Sequence, residues 1–236
     1  MARRRGPPAA GSWRLRIAAI LLLCGLVGSV AAWWHLRHWL PERSTYRSQG
    51  VEIGTIEGSV DWTALRAVGA DFAYLDASAS AFARDPAFVK NLEDARAAGL
   101  QVGAVHLYDP CQPAESQAAN FVTVIPRDAK MLPPAVDLDR LAEDCPVRVS
   151  DAKVESELTT FLNQIETHTG KAVILKLSRR FEARYHIAAT IDRNLWVSGE
   201  RFEPEYAGRP WTLWTANTHL ATDASDEPLR WVVVQK

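Results

Sequence analysis

LPPAVDLDRLAEDC, residues 132–145, is the stretch on which the reading of this chain turns. Two prolines lead in, and Ala135-Val136-Asp137-Leu138-Asp139 then alternates apolar and acidic residues. A period of two is that of a β-strand, so Asp137 and Asp139 point to one face with Cα atoms roughly 6–7 Å apart. Val136 and Leu138 face the other way, where a layer of helices can bury them. Two adjacent carboxylates repel, which raises the proton affinity of one of them. One acid held protonated beside one held ionised is the equipment of glycoside hydrolysis. These seven residues alone leave open the plainer reading, a strand that ends in two solvated aspartates.

Working outward, strands and helices alternate on both sides. Gly50–Gly54 reads as a strand with Glu52 at its centre, Asp71–Ala77 as a second and Val102–Tyr108 as a third. Helices are expected after Asp61, after the Asp85-Pro86 pair, around Ala114–Val124, from Ser150 or Asp151, and around Arg180–Tyr185. Gly69, Gly99 and Gly170 supply three of the stops. Ala172–Leu177, Leu195–Ser198, Trp211–Thr215 and Trp231–Gln235 read as later strands. Near-continuous apolar strands separated by helices mean an α/β fold buried on both faces. No G-x-G-x-x-G follows the first strand and no phosphate loop occurs. An irregular (β/α)-barrel of TIM type is therefore expected over a doubly wound sheet, with its functional face at the C-terminal ends of the strands.

The first 48 residues differ from the rest. Residues 1–16 form a basic tail with five Arg and no acid, and residues 17–34 contain no charge. Eighteen uncharged residues suit one transmembrane helix, with Trp33 and Trp34 at the interface and the arginines inside. This predicts a single-pass inner-membrane anchor with the C-terminal domain in the periplasm. The competing reading is a secreted protein, cleaved near Ala31. Residues 35–48 read as a linker and residues 49–236 as the barrel domain. That domain holds 19 basic and 27 acidic residues, a balance of −8. Such an acidic surface argues against a nucleic-acid partner.

Five stretches, in order, resemble glycoside hydrolase family 25, the lysozymes that cut peptidoglycan. They are Gly50-Val51-Glu52-Ile53 with Asp61-Trp62; Asp85-Pro86-x-Phe88 with Ala98-Gly99-Leu100-x-Val102-Gly103-Ala104-x-His106; Gln117-Ala118-x-x-Phe121; Pro133–Asp139; and Trp211-Thr212-Leu213-Trp214. The resemblance implies a catalytic set of Asp139 as proton donor with Asp137 and Glu52 beside it. It departs from the family pattern at the acids themselves. Glu52 stands for an Asp, Asp139 for a Glu, Asp76 for a base and Lys176 for a Tyr. The C-terminal carboxylate motif is not recognisable, with Asp223 and Asp226 as the only nearby stand-ins. A muramidase of divergent chemistry and an inactive glycan-binding protein of the same fold both fit these changes.

Other residues carry narrower expectations. Tyr108, Trp196 and Trp214 are candidate sugar-stacking residues, although core packing is the commoner role for any one aromatic. Asp76 and Lys176 are expected at the barrel mouth as a direct ion pair, because an unpaired buried charge is costly. His106, inside a strand, reads as a hydrogen-bonded barrel histidine rather than a base. Cys111 and Cys145 follow successive strands on one face of the barrel, which predicts a disulfide in an oxidising compartment. No His or third Cys has ligand spacing beside them, so neither a metal nor another cofactor is expected.

Overall fold

The computed structural model describes residues 12–235, which divide into two compact units meeting between Trp39 and Leu40. The first unit is helix α1 (Ser12–Arg37). Its Trp13–Arg37 portion contains an 18-residue window with a mean hydropathy of 2.2 and is long and apolar enough to cross a membrane.

The second unit is built from β1 (Gln49–Ile53), α2 (Trp62–Val68), β2 (Phe72–Ala79), β3 (Ala83–Arg84), α3 (Phe88–Ala97), β4 (Gln101–Leu107) and α4 (Ala114–Val124). There follow β5 (Ala135–Leu138), α5 (Asp151–Thr169), β6 (Ile174–Leu177), α6 (Arg179–Tyr185), α7 (Ile187–Thr190), β7 (Asn194–Ser198), β8 (Leu213–Thr222) and β9 (Ser225–Val234). Eight strands close a barrel in the order β1-β9-β8-β7-β6-β5-β4-β2, with β2 returning to β1 and β3 appended to β2 as a hairpin. Neighbours from β1 round to β8 are parallel, whereas β9 is antiparallel to both β8 and β1.

The barrel is thus mixed, and regular βα repetition is not carried through. Residues 199–212 cross from β7 to β8 without a helix, and a tight turn at Asp223-Ala224 sends β9 straight back. The sequence reading gave β8 and β9 as short separate strands; they are the two ten-residue arms of one hairpin. A hairpin needs no crossover, and this one brings the last strand beside the first.

The helix stops and starts follow local chemistry. Asp61 and Ser150 accept backbone N–H bonds as N-caps of α2 and α5, and Gly69 and Gly170 end those helices with φ of 116° and 69°. Asp85 does not cap α3; its carboxylate closes a turn onto the Ala87 N–H and the helix begins at Phe88.

Outside the barrel wall, Phe88 and Leu92 of α3, Phe121 of α4, and Leu158, Phe161 and Leu162 of α5 are buried among the helices. His106 points into this outer layer, its ring 4.8 Å from that of Phe161 and hydrogen-bonded to Ser78 Oγ at 2.8 Å. Burial pushes its pKa down to about 4, so it is a neutral packing residue, as the sequence suggested.

Inside, Phe72, Tyr74, Val105, Ala135, Ile174, Trp196, Leu213 and Val232 fill the lower half. Tyr74 fits because Gly103 faces it: a Cβ there would lie 2.3 Å from the tyrosine ring.

Residues 40–48, expected to be a linker, belong instead to the barrel unit. The buried Gln49 side chain donates to the carbonyls of Pro41 and Tyr46 and accepts from Trp231 Nε1, and Arg43 pairs with Asp71. Polar composition suggested a free tether, but one buried amide satisfied on all sides is enough to fix it.

Candidate active site

The site is the upper half of the barrel interior. A strand presents alternate residues to one face, so two steps beyond an inward apolar residue comes another inward position. On β5, Ala135 is followed by Asp137; on β6, Ile174 by Lys176; on β2, Tyr74 by Asp76; on β1, Gly50 by Glu52. β9 runs the other way, so Arg230 lies above Val232 and directly opposite Glu52 in register.

These side chains form one ionic network. Lys176 Nζ lies 2.5 Å from Glu52 Oε1 and 2.7 Å from Asp137 Oδ2. Arg230 reaches Glu52 at 2.7 Å, Glu57 at 2.7 Å and Asp76 at 3.2 Å. Four carboxylates therefore share two cations. Burial, then the nearby Glu52, push Asp76 up to about 7 against the pull of Arg230 and Lys176. Burial also raises Asp137, although Lys176 opposes it. Burial works against the charge on Lys176, but Asp137 and Glu52 outweigh it and hold the ammonium protonated. The network is held by attraction and carries surplus negative charge, which a proton on Asp76 relieves.

Asp139 stands apart from this network. It follows β5 at the rim, about half exposed, and Arg180 donates to both its oxygens through one edge of the guanidinium, Nε at 2.8 Å and Nη2 at 2.7 Å. Partial burial raises its pKa, but the hydrogen bonds from Arg180 and Ser178 prevail and hold it below the usual carboxylate range. The sequence reading had Asp137 weakening Asp139 as an acid; the arginine reverses that sign.

Asp137, Asp139, Tyr108, Asp109, Ser80 and Leu107 line an open cavity of about 290 Å³ at the mouth. The Cys111–Cys145 disulfide, Cα atoms 5.3 Å apart, ties the loop after β4 to the loop after β5 beside it. Gln117 reinforces the first loop, accepting the Asp109 N–H and donating to the carbonyls of Asp109 and Gln112.

Three expectations need correction. Asp76 and Lys176 share the barrel mouth but are not bonded to each other. Arg230, from the returning last strand, takes the place the lysine was given. Trp196 and Trp214 present no face to a sugar: both are buried, Trp196 donating to Thr215 Oγ1 and Trp214 to the Gly199 carbonyl. Trp211 and Trp231 are buried as well, and Tyr108, though on the cavity wall, is only 3% exposed. Asp223 and Asp226 lie exposed at the hairpin tip and supply no carboxylate to the interior.

Sequence reasoning missed Arg230, Arg180 and Glu57. Arg230 had a usable signal, a lone charge between Leu229 and Trp231-Val232-Val233 in a strand. Arg180 lay inside a segment read only as helix.

The model of glycosyl hydrolases family 25 matches residues 51–220. The chain is 22% identical over 195 residues to the uncharacterized protein YegX of Escherichia coli (strain K12), covering 79% of this chain and 69% of that one. It is 27% identical over 95 residues to Lysozyme M1 of Streptomyces globisporus, 39% of this chain and 32% of that one. Among solved structures it is similar to a family 25 glycosyl hydrolase from Bacillus anthracis, with 26% identity, a TM-score of 0.74 and coverage of 84% and 92%.

Proposed function

Because the chain belongs to glycosyl hydrolases family 25, a family of glycosidases, we propose that it is a membrane-anchored muramidase cutting peptidoglycan between N-acetylmuramic acid and N-acetylglucosamine. The observation that carries this reading is the pair Asp137 and Asp139, on one face at the C-terminal end of β5 and open to the same cavity. Asp139 is the proton donor. As the glycosidic C–O bond breaks its proton passes to the leaving oxygen, and water then gives hydroxide to the anomeric carbon and a proton back to Asp139. Asp137, tied to Lys176, holds the positive charge that develops on the sugar, the substrate's N-acetyl group participating. Glu52 is fully buried and touches no sugar; it acts by fixing Lys176 and Arg230.

In this reading α1 is an uncleaved single-pass anchor in the inner membrane, and the barrel, an incomplete relative of the TIM type, works on glycan strands in the periplasm. Removal of the apolar segment near Ala31 would give a secreted form instead. Nucleic acid is not a partner.

One observation favours a second reading, a non-catalytic glycan-binding protein: Asp139 is held ionised by Arg180. Muropeptide release from purified peptidoglycan separates the two. Release by the wild type, reduced at least 100-fold in Asp139→Asn, supports the muramidase; equal glycan binding with no release by either supports the binding protein.

A further inference from the structure

The grip of Arg180 on Asp139 sits badly with a proton donor, and its position points to how it is released. Both partners are about half exposed, so the pair is screened by water and costs little to break. Arg180 lies in the first turn of α6, shortly after the strand that carries Lys176, and its neighbour Arg179 lies over the Tyr206 ring. On the cavity wall, next to Asp139 in the chain, Arg140 pairs with Asp109 at 2.8 Å and is itself 44% exposed. On a domain whose balance is −8, the mouth thus carries two half-exposed arginines, Arg140 and Arg180, each paired with one of the aspartates that line the cavity. A guanidinium that grips a carboxylate with two parallel N–H bonds is a ready receptor for another of the same planar shape.

Building on the muramidase reading, we propose that Arg180 is a substrate-specificity and positioning residue, which leaves Asp139 for a free carboxylate on the glycan. In a muramoyl strand the carboxylate next to the scissile bond is that of the 3-O-lactyl group. It is free only after the peptide has been cut from it. The exchange conserves charge: Arg180 keeps an anionic partner, and Asp139, left facing Asp137 and Ser178 with Lys176 farther in, takes up a proton and becomes a donor. Amide hydrolysis therefore supplies the substrate, and this enzyme acts after it, on strands stripped of peptide.

The test uses the full chain in detergent and three substrates: glycan strands stripped of peptide, the same strands with the lactyl carboxylate capped as a methylamide, and intact peptidoglycan. Cleavage is measured for wild type, Arg180→Gln and Arg180→Lys across pH 4–8. Wild type is expected to cut stripped strands at least 10-fold faster, in kcat/KM, than capped ones, with the alkaline limb of its pH profile higher on stripped strands. Arg180→Gln narrows the ratio to less than 3-fold, gives both substrates the same limb, and cuts capped strands faster than wild type does; Arg180→Lys restores part of the preference. Equal rates of wild type on stripped and capped strands overturn the proposal and leave the muramidase reading intact. A preference for intact peptidoglycan also overturns it, and would assign the rim to peptide carboxylates. If nothing is cleaved, the muramidase reading falls. Binding then decides the exchange: retention of stripped over capped strands that vanishes in Arg180→Gln supports it, and indifference to the cap ends it.

Discussion

The two halves of the barrel interior occupy the same inward face, one step of two residues apart, and are built on opposite principles. The lower half is aromatic and aliphatic: Phe72, Tyr74, Trp196 and their neighbours, with the Tyr74 hydroxyl donating to the Pro133 carbonyl and the Trp196 indole N–H to Thr215. The upper half is ionic, with Asp137, Lys176, Glu52, Arg230 and Asp76 linked pair by pair in one network. In the lower half each side chain contributes by its own burial, so a deletion costs what the missing atoms and the cavity cost. In the upper half no residue is stable alone. Removing a cation there leaves carboxylates buried without a counter-ion.

The sharpest way to break this contrast is Lys176→Met. It keeps the volume and removes the charge shared by Glu52 and Asp137, and is expected to cost about 3–5 kcal/mol. Denaturant unfolding measures it, and a loss below about 1 kcal/mol would show that the ionic half is not interdependent. Its partner experiment is two residues down the same strand. Ile174→Ala is expected to cost about 2–4 kcal/mol, independent of pH, and to leave the charged layer undisturbed.

The halves should also differ in their response to pH. Asp76 is raised to about 7 in the folded barrel by burial and by Glu52, while Arg230, Lys176 and the Glu57 carboxylate beside Arg230 surround it. A raised folded pKa means stability that is fully present below the ordinary Asp value and is lost as pH rises through about 7. Relative to Asp76→Asn, the wild type should therefore lose about 2–4 kcal/mol between pH 4 and pH 8, read as the difference between their thermal unfolding curves. His106 has the opposite sign: its stability is lost as pH falls from about 6.5 through 4, which is why the difference between variants is measured. A pH-independent gap would place the proton elsewhere in the network.

The smallest effect on stability is expected at the rim. Arg180→Gln breaks an exposed pair and should change unfolding by less than about 1 kcal/mol. The same substitution should raise the pKa of Asp139, which carboxyl-carbon NMR can follow directly. A large stability loss would make the clamp structural.

Several elements could be read without tertiary contacts because a local rule set them. Asp61, Ser150, Gly69 and Gly170 bounded their helices through capping and left-handed backbone, and the alternation in Ala135–Asp139 put both aspartates on one face. Cys111 and Cys145 paired because successive parallel strands with a crossover helix are neighbours. The motif order from residue 50 onward was enough to point to the family.

What lay beyond the sequence was the choice of partners. Glu52 and Arg230 are 178 positions apart, and they meet only because β9 returns antiparallel and closes the barrel against β1. That closure gave Asp76 an arginine and freed Lys176 for Glu52 and Asp137. Nor could composition tell which tryptophans face sugar, since an aromatic in a strand fits either side of a barrel wall until closure defines an inside; here Trp196, Trp211, Trp214 and Trp231 all ended buried. The sequence by itself determined the strands, the caps and the acidic pair, because backbone geometry and local hydrogen bonds act over a few residues. The tertiary structure alone decided which cation neutralises which acid, and so which acid can hold a proton, because buried charges are fixed by whatever the closed barrel brings within about 3 Å of them.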